Sequence, residues 1–139
     1  GEIFAAEWFS TDDVGPRLRK DPIDNPRCTE TLMAAMRAET AHFFHSLVSD
    51  NAPVSRLIDA DYTFLNSELA RFYRIDGVAG NEMRRVPLKT KQRGGLFGHA
   101  SVLATTSFPD RTSPVLRGKW ILDNLLGTPP PPPPPRARW

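Results

Sequence analysis

The chain has 139 residues, of which 40% are hydrophobic and 24% charged, the composition of a folded domain rather than of a disordered segment. Its 18 basic and 16 acidic residues leave a net charge of +2, too small to indicate a nucleic-acid-binding protein. The single cysteine, Cys28, excludes an internal disulfide, a two-cysteine haem attachment and a zinc site built on several thiolates of this chain. No apolar run approaches the roughly 20 residues that cross a bilayer, so we expect no membrane span.

The first part of the chain predicts one strong helix. Residues 1–27 open with a short apolar stretch and continue through three prolines, a pattern typical of a helix end followed by an extended loop. A helix is predicted over residues 29–49, with Thr29 or Thr31 as its N-cap and a stop at Asn51. Its apolar residues recur every three or four positions and share one face: Leu32, Met33, Met36, Phe43, Phe44, Leu47 and Val48.

The middle of the chain predicts a second helix and then irregular structure. Residues 61–73 carry apolar side chains at helical spacing, and we expect Asp61 or Thr63 to cap this helix. Two glycines then break the pattern. Weak alternation over residues 83–88 indicates a short extended piece, and residues 89–95 an exposed basic turn.

The last part predicts two more helices. Residues 96–105 are small and apolar, which favours a buried helix of about three turns. The final helix has clear boundaries, because Ser113 suits the N-cap, Pro114 the first helical position and Gly127 the left-handed C-terminal position. It is apolar almost all round, so we expect it to lie deep in the core or under a neighbouring domain.

Seven consecutive prolines follow this helix, and they have neither backbone N–H donors nor freedom at φ. They predict a polyproline II rod of roughly 20 Å. A linker to a following domain is the favoured interpretation, and a ligand for an SH3-type groove is the alternative. The predicted interaction and linker residues are Trp120, Pro129, Pro130, Pro131, Pro132, Pro133, Pro134 and Pro135.

Together these patterns predict a mainly α protein: a small domain of about four helices with irregular loops and a C-terminal polyproline II rod. We divide the chain into an N-terminal helix remnant and loop at 1–27 and a helical domain at 28–80. A loop with a two-helix motif packs on that domain at 81–128, and the proline linker and tail occupy 129–139.

The histidines give only weak indications of chemistry. His42 and His45 lie three residues apart on the first helix, but two ligands without a third do not make a metal site, so no metal is predicted. His99 follows a glycine-containing loop and has hydroxyl residues nearby. The glycine spacing matches no phosphate-binding fingerprint and no acid is spaced to orient the imidazole, so a packing turn is the favoured interpretation.

The remaining charged residues also favour structural roles. Asp59 and Asp61 flank a predicted helix start, where acids commonly cap N–H groups. No catalytic residue is therefore predicted, and His99 and Asp61 are only weak candidates. One basic cluster lacks the interleaved aromatic residues of a single-strand binder and indicates a solvated face: Arg84, Arg85, Lys89, Lys91 and Arg93.

Two long stretches resemble a known family. Residues 93–135 read RGGLFGHASVLATTSFPDRTSPVLRGKWILDNLLGTPPPPPPP, and residues 32–80 read LMAAMRAETAHFFHSLVSDNAPVSRLIDADYTFLNSELARFYRIDGVAG. They are similar to the paired helical domains of unknown function in large secreted planctomycete proteins that also contain cytochrome c modules. The most specific parts are the arginine-glycine-glycine-leucine start, the helix entry RTSPVLRGKW at residues 111–120 and the polyproline exit.

The resemblance implies a periplasmic or extracellular location and a multi-domain parent protein. It also implies a covalent haem c at a Cys-x-x-Cys-His motif beyond the proline run, whereas this chain contains no such motif and should hold no cofactor itself. The expected partners are neighbouring domains of the parent, including a cytochrome c-like module, and not nucleic acid.

The expected function is a non-catalytic helical scaffold or interaction segment that positions a downstream haem domain for electron transfer. Two alternatives remain: a domain of an enzyme that acts on a polymeric or carbohydrate substrate, and a polyproline-presenting ligand for a binding module.

Overall fold

The computed structural model describes Trp8 and residues 29–108, 111–132 and 135. Helix α1 spans Glu30–Ser49, as predicted, and the Thr29 hydroxyl caps it by accepting a hydrogen bond from the Leu32 N–H at 3.1 Å. The chain turns after α1 at Asn51, whose φ is +48°. Apart from Trp8, the helix end and loop predicted for residues 1–27 lie outside the described part of the chain.

The prediction of one helix over residues 61–73 is wrong in its first part. A short helix α2 at Arg56–Asp59 is followed by strand β1 at Tyr62–Leu65 and helix α3 at Ser67–Tyr73. Aromatic and β-branched side chains fit the pleated, half-buried surface of a strand, and a partner strand is present. Asn66 caps α3 by accepting from the Leu69 N–H at 2.9 Å, so neither Asp61 nor Thr63 has that role.

Strand β2 at Arg84–Pro87 confirms the predicted extended piece. It pairs antiparallel with β1, and the register places Tyr62 opposite Pro87 and Leu65 opposite Arg84. A 3₁₀ turn at Lys91–Arg93 follows within the predicted basic turn. The two-stranded sheet packs on α1 through β1.

Helix α4 spans Ala100–Thr105, and a separate 3₁₀ turn occupies Leu96–Gly98, so the predicted helix over 96–105 is shorter than expected. The interruption falls at His99, whose ψ of 134° is extended. The predicted burial is confirmed, because Leu96, Ala100 and Val102 are buried.

Helix α5 spans Pro114–Trp120 and continues into a π-helical turn at Ile121–Leu125. Its predicted boundaries are confirmed: the Ser113 hydroxyl accepts from the Leu116 N–H at 3.2 Å, and Gly127 has a φ of +61°. Of the two predicted placements, deep burial in the core is not observed in the described structure, and cover by a neighbouring domain stays a prediction. One face packs through Trp120, while Val115 is 81% exposed and Leu126 62% exposed.

The fold is mainly helical, with α1 at its centre. The first cluster of the core joins α1, α3 and the start of α4. A second cluster joins α4 and α5 around Trp120, and a third lies around Phe43 beside β1. Among the described helices, none is both long and apolar enough to cross a membrane.

Candidate functional site

A group of polar side chains is sealed between α1, β1, α3 and α4. All of its members are buried, although each can form hydrogen bonds and three can titrate. We call it the buried polar network, and it consists of Glu39, Thr40, Thr63, Tyr73, His99 and Ser101.

Glu39 is the acidic centre of the buried polar network. Its side chain projects from α1 and is 0% exposed. One carboxyl oxygen accepts a hydrogen bond from the Thr63 hydroxyl on β1, and the other accepts from the Tyr73 hydroxyl on α3, each at 2.5 Å. Burial raises the pKa of the Glu39 carboxyl from 4.5 to about 8, although these two hydrogen bonds and the charge of Arg93 act to lower it. The raised pKa favours the protonated carboxyl at neutral pH, and in that form the carboxyl can itself donate in one of these two hydrogen bonds.

Tyr73 connects Glu39 to the C-terminal part of the fold. Its hydroxyl oxygen accepts a hydrogen bond from the Ala100 N–H at 2.7 Å while its proton points to Glu39. Burial and the neighbouring Glu39 raise the pKa of the Tyr73 hydroxyl well above its ordinary value. Because α4 begins at Ala100, this phenol satisfies one of the N–H groups that a helix start leaves without an internal partner.

His99 forms the second half of the buried polar network. Its Nδ1 lies 3.0 Å from the Thr40 hydroxyl, which in turn lies 2.7 Å from the Ser101 hydroxyl. The imidazole packs edge-on against Phe43 with ring centroids 4.8 Å apart, and its Nε2 has no hydrogen-bond partner in the described structure. Burial lowers the pKa of His99 to about 3, so the ring is neutral.

This geometry favours a packing role for the network over acid–base catalysis. A general acid or base must come within hydrogen-bond reach of its substrate, and both Glu39 and His99 are 0% exposed. The network instead provides hydrogen-bond partners for polar groups where α1, β1, α3 and α4 meet. A buried network of this kind favours a single packing arrangement of the core. The glycines before His99 serve the same packing, since a Cβ on Gly94 or Gly95 would collide with the backbone carbonyls of Ala60 or Ile58.

Asp61 and the other two histidines lie elsewhere. The Asp61 side chain is 77% exposed and lies 3.6 Å from the Arg56 guanidinium, so it forms a surface ion pair. His42 stacks on Phe64 with ring centroids 5.6 Å apart, and His45 is exposed. Within the described ranges, no three His, Cys, Asp or Glu side chains converge as metal ligands.

The predicted interaction residues are only partly placed. Trp120 is 7% exposed and packs with Leu96 and Val102 inside the core. Of the proline run, residues 129–132 and 135 are described, and they have no helix or strand assignment. The polyproline II conformation stays a prediction.

Sequence reasoning missed Glu39, the residue around which the network forms. The signal was present, because Glu39 lies three residues after Met36 and four before Phe43, on the apolar face of the predicted helix. A charged residue at such a position is almost never fully buried unless paired, so its spacing already indicates a buried polar partner.

The comparisons with known proteins agree with the resemblance seen in the sequence. Residues 1–75 match the family described as PSD4, protein of unknown function (DUF1592), and residues 93–138 match PSCyt3, protein of unknown function (DUF1588). No curated protein and no solved structure matches the chain. Both families are planctomycete cytochrome c-associated domains. Because the first match covers more than half of the chain, the chain belongs to the PSD4 family, DUF1592, and its residues 93–138 are similar to the PSCyt3 family.

Proposed function

We propose that this chain is a non-catalytic helical scaffold that positions neighbouring domains of a periplasmic or extracellular parent protein, among them a haem-bearing cytochrome c-like module. The observation that carries the proposal is the position of α5. Trp120 lies on its core side, while Val115 at its start and Leu126 just after the π-helical turn are exposed. Leu126 lies three residues before the proline run. An exposed apolar patch is typical of a surface that another domain covers.

The buried polar network supports the non-catalytic part of the proposal. Glu39, Tyr73 and His99 have the chemistry of acid–base catalysts, but all three are buried and bonded within the core. The network also crosses from the residues that match the first family to those that match the second, because Tyr73 binds Ala100 and Thr40 binds His99. Its groups hold the two matched segments against each other.

The proline run supports the positioning part. A polyproline II rod of seven residues extends roughly 20 Å and resists bending over that length. A rod that starts at Pro129, two residues after Gly127, would hold the following module at a set distance from the α5 surface. The haem would belong to that module, since this chain lacks the two cysteines of a haem attachment.

A paired substitution tests the docking surface. We expect Val115→Asp with Leu126→Asp to weaken binding between this chain and the separately produced following domain at least about tenfold, because each buried aspartate would lose hydration without a partner. Binding is measured by isothermal titration calorimetry. Both positions are exposed, so the free energy of unfolding in urea should change by no more than about 0.5 kcal/mol.

Val54→Asp is the matched control, since Val54 is 79% exposed in the turn between α1 and α2, and it should leave the affinity unchanged. Equal losses in the control and the paired variant would remove α5 as the docking surface. Intact mass and visible absorbance of the parent test the haem separately: a following domain without covalent haem contradicts the electron-transfer part.

A further inference from the structure

A groove of about 580 Å³ opens between the end of α3 and the segment that follows β2. Three cationic side chains line it, Arg74, Lys89 and Arg93, against one acidic side chain, Asp76. Its apolar wall includes Ile75, Val86 and Leu88. We call it the basic groove. Its volume lies within the range of about 300 to 1,000 Å³ that is usual for small-molecule sites.

Arg93 has a fixed position in the basic groove. Its guanidinium lies over the Tyr73 ring, with 4.3 Å between the Cζ atom and the ring centroid, and its Nη1 donates to the Gly98 carbonyl at 3.3 Å. The ring is itself held, because the Tyr73 hydroxyl is bonded to both Glu39 and Ala100. A guanidinium held on such a rigid platform loses little entropy when a ligand binds.

In the part of the chain that the structure describes, Arg93 forms no ion pair. Among the described residues no carboxylate lies within 4 Å of its guanidinium, whereas Arg56, Arg85 and Lys119 each have an acidic partner at that distance. The Glu39 carboxyl in the core interacts with the charge of Arg93, but burial raises the pKa of that carboxyl to about 8 and so favours its neutral form at pH 7. Arg93 therefore offers a half-buried cation and unused N–H donors to an anion in the groove.

We propose that the basic groove binds a small organic anion, with an oxyanion group held by Arg93 and Lys89 and an apolar body packed on Ile75, Val86 and Leu88. The planar N–H fork of arginine matches carboxylates and phosphates alike, so the shared chemistry is an oxyanion on an apolar body. The proposal goes beyond the scaffold function, and it gives Lys89 and Arg93 a binding role within the basic cluster that is predicted to be a solvated face. Arg85 pairs with Asp50 at 3.1 Å, and only Lys89 and Arg93 of that cluster line the groove.

The site is tested by adding four small molecules separately to the chain at pH 7. Binding is measured by calorimetry and by changes in the amide chemical shifts. Benzoate and phenyl phosphate are expected to bind and to shift amides around residues 74–76 and 86–93. Neutral benzamide should bind at least about tenfold more weakly than benzoate, because it lacks the charge. Inorganic phosphate should bind at least about tenfold more weakly than phenyl phosphate, because it lacks the apolar body. The better of benzoate and phenyl phosphate identifies the oxyanion. Absence of binding by both, or equal binding of inorganic phosphate, would overturn the proposal.

Two lysines of one turn give a matched pair of variants. Lys89→Gln is expected to weaken binding several-fold, and Lys91→Gln to leave it unchanged, because both side chains are exposed and only Lys89 lines the groove. Arg93→Lys keeps the charge but removes the fork, and we expect a loss of about tenfold. Equal weakening by Lys89→Gln and Lys91→Gln would show nonspecific attraction and contradict a built site. That comparison does not depend on whether the Arg93 variant folds.

Discussion

A Gly95→Ala variant is expected to lose about 3 kcal/mol of stability or more, because two independent costs coincide at this position. Gly95 has a φ of +70° and a ψ of −179°, a conformation almost restricted to glycine. A Cβ there would also collide with the Ile58 carbonyl group and lie 2.7 Å from the Leu57 carbonyl oxygen. These are backbone atoms of α2, so they cannot move aside as a flexible side chain can.

Urea unfolding measures this loss, and two other glycines serve as controls. Gly77 has a φ of +86° but open space around it, so Gly77→Ala should show only the conformational cost, about 1 to 2 kcal/mol. Gly118 lies inside α5 with nothing within 4 Å, and Gly118→Ala should stabilise the protein by about 0.5 to 1 kcal/mol. If Gly95→Ala cost no more than Gly77→Ala, the close approach of the residue 94–98 segment to α2 would be wrong.

The second large effect is a stability optimum in mildly acidic solution, produced by Glu39 and His99 together. The pKa of Glu39 is raised from 4.5 in the unfolded chain to about 8 in the fold. Between pH 4.5 and 8, the folded state therefore binds more protons than the unfolded state. Its contribution is complete below pH 4.5 and is lost as pH rises, by about 1.4 kcal/mol per pH unit.

His99 acts in the opposite direction. The pKa of His99 falls from 6.5 to about 3 on folding. Between pH 3 and 6.5, the unfolded state therefore binds more protons than the folded state. Its contribution is complete above pH 6.5 and is lost as pH falls. The two slopes cancel between about pH 4.5 and 6.5. From pH 6.5 to 8 His99 no longer opposes Glu39, and stability should fall by about 2 kcal/mol.

Glu39→Gln isolates the Glu39 contribution. A glutamine has nearly the shape of the protonated acid but cannot ionise, so the loss of stability between pH 6.5 and 8 should disappear. Urea unfolding at half-unit pH intervals from 4 to 8 gives both profiles. Glu82→Gln is the control at an exposed acid and should reproduce the wild-type profile. An unchanged alkaline slope in Glu39→Gln would show that another group causes it.

Local signals in the sequence were sufficient to predict helix ends but not strand pairing or burial. Thr29, Ser113, Pro114 and Gly127 act within three or four residues of their own positions, so the pattern alone located the boundaries of α1 and α5. Strand β1 was mistaken for helix because it depends on β2, which lies about twenty residues further along the chain. A hydrophobic pattern also could not show how much of α5 another element covers.

The buried polar network could not be predicted from the sequence for a related reason. Glu39, Tyr73 and His99 are far apart in the sequence, and each has an ordinary structural explanation when considered alone. Only the fold brings them together, and only the fold shows that their polar atoms lack access to solvent. The same holds for the basic groove, where five basic residues of similar appearance divide into an ion-paired arginine, solvated side chains and two residues that line the groove.

We infer that the buried polar network joins the two matched segments into one cooperative core. Native-state hydrogen exchange measures this most directly, because amides in one cooperative unit share one free energy of opening. We predict equal opening free energies for the central amides of α1 and for the Leu103 amide of α4, which is bonded to the His99 carbonyl at 3.0 Å. The opening free energy of α4 could instead be lower than that of α1 by more than about 2 kcal/mol. That result would show that the second segment unfolds on its own, and it would contradict a single cooperative core.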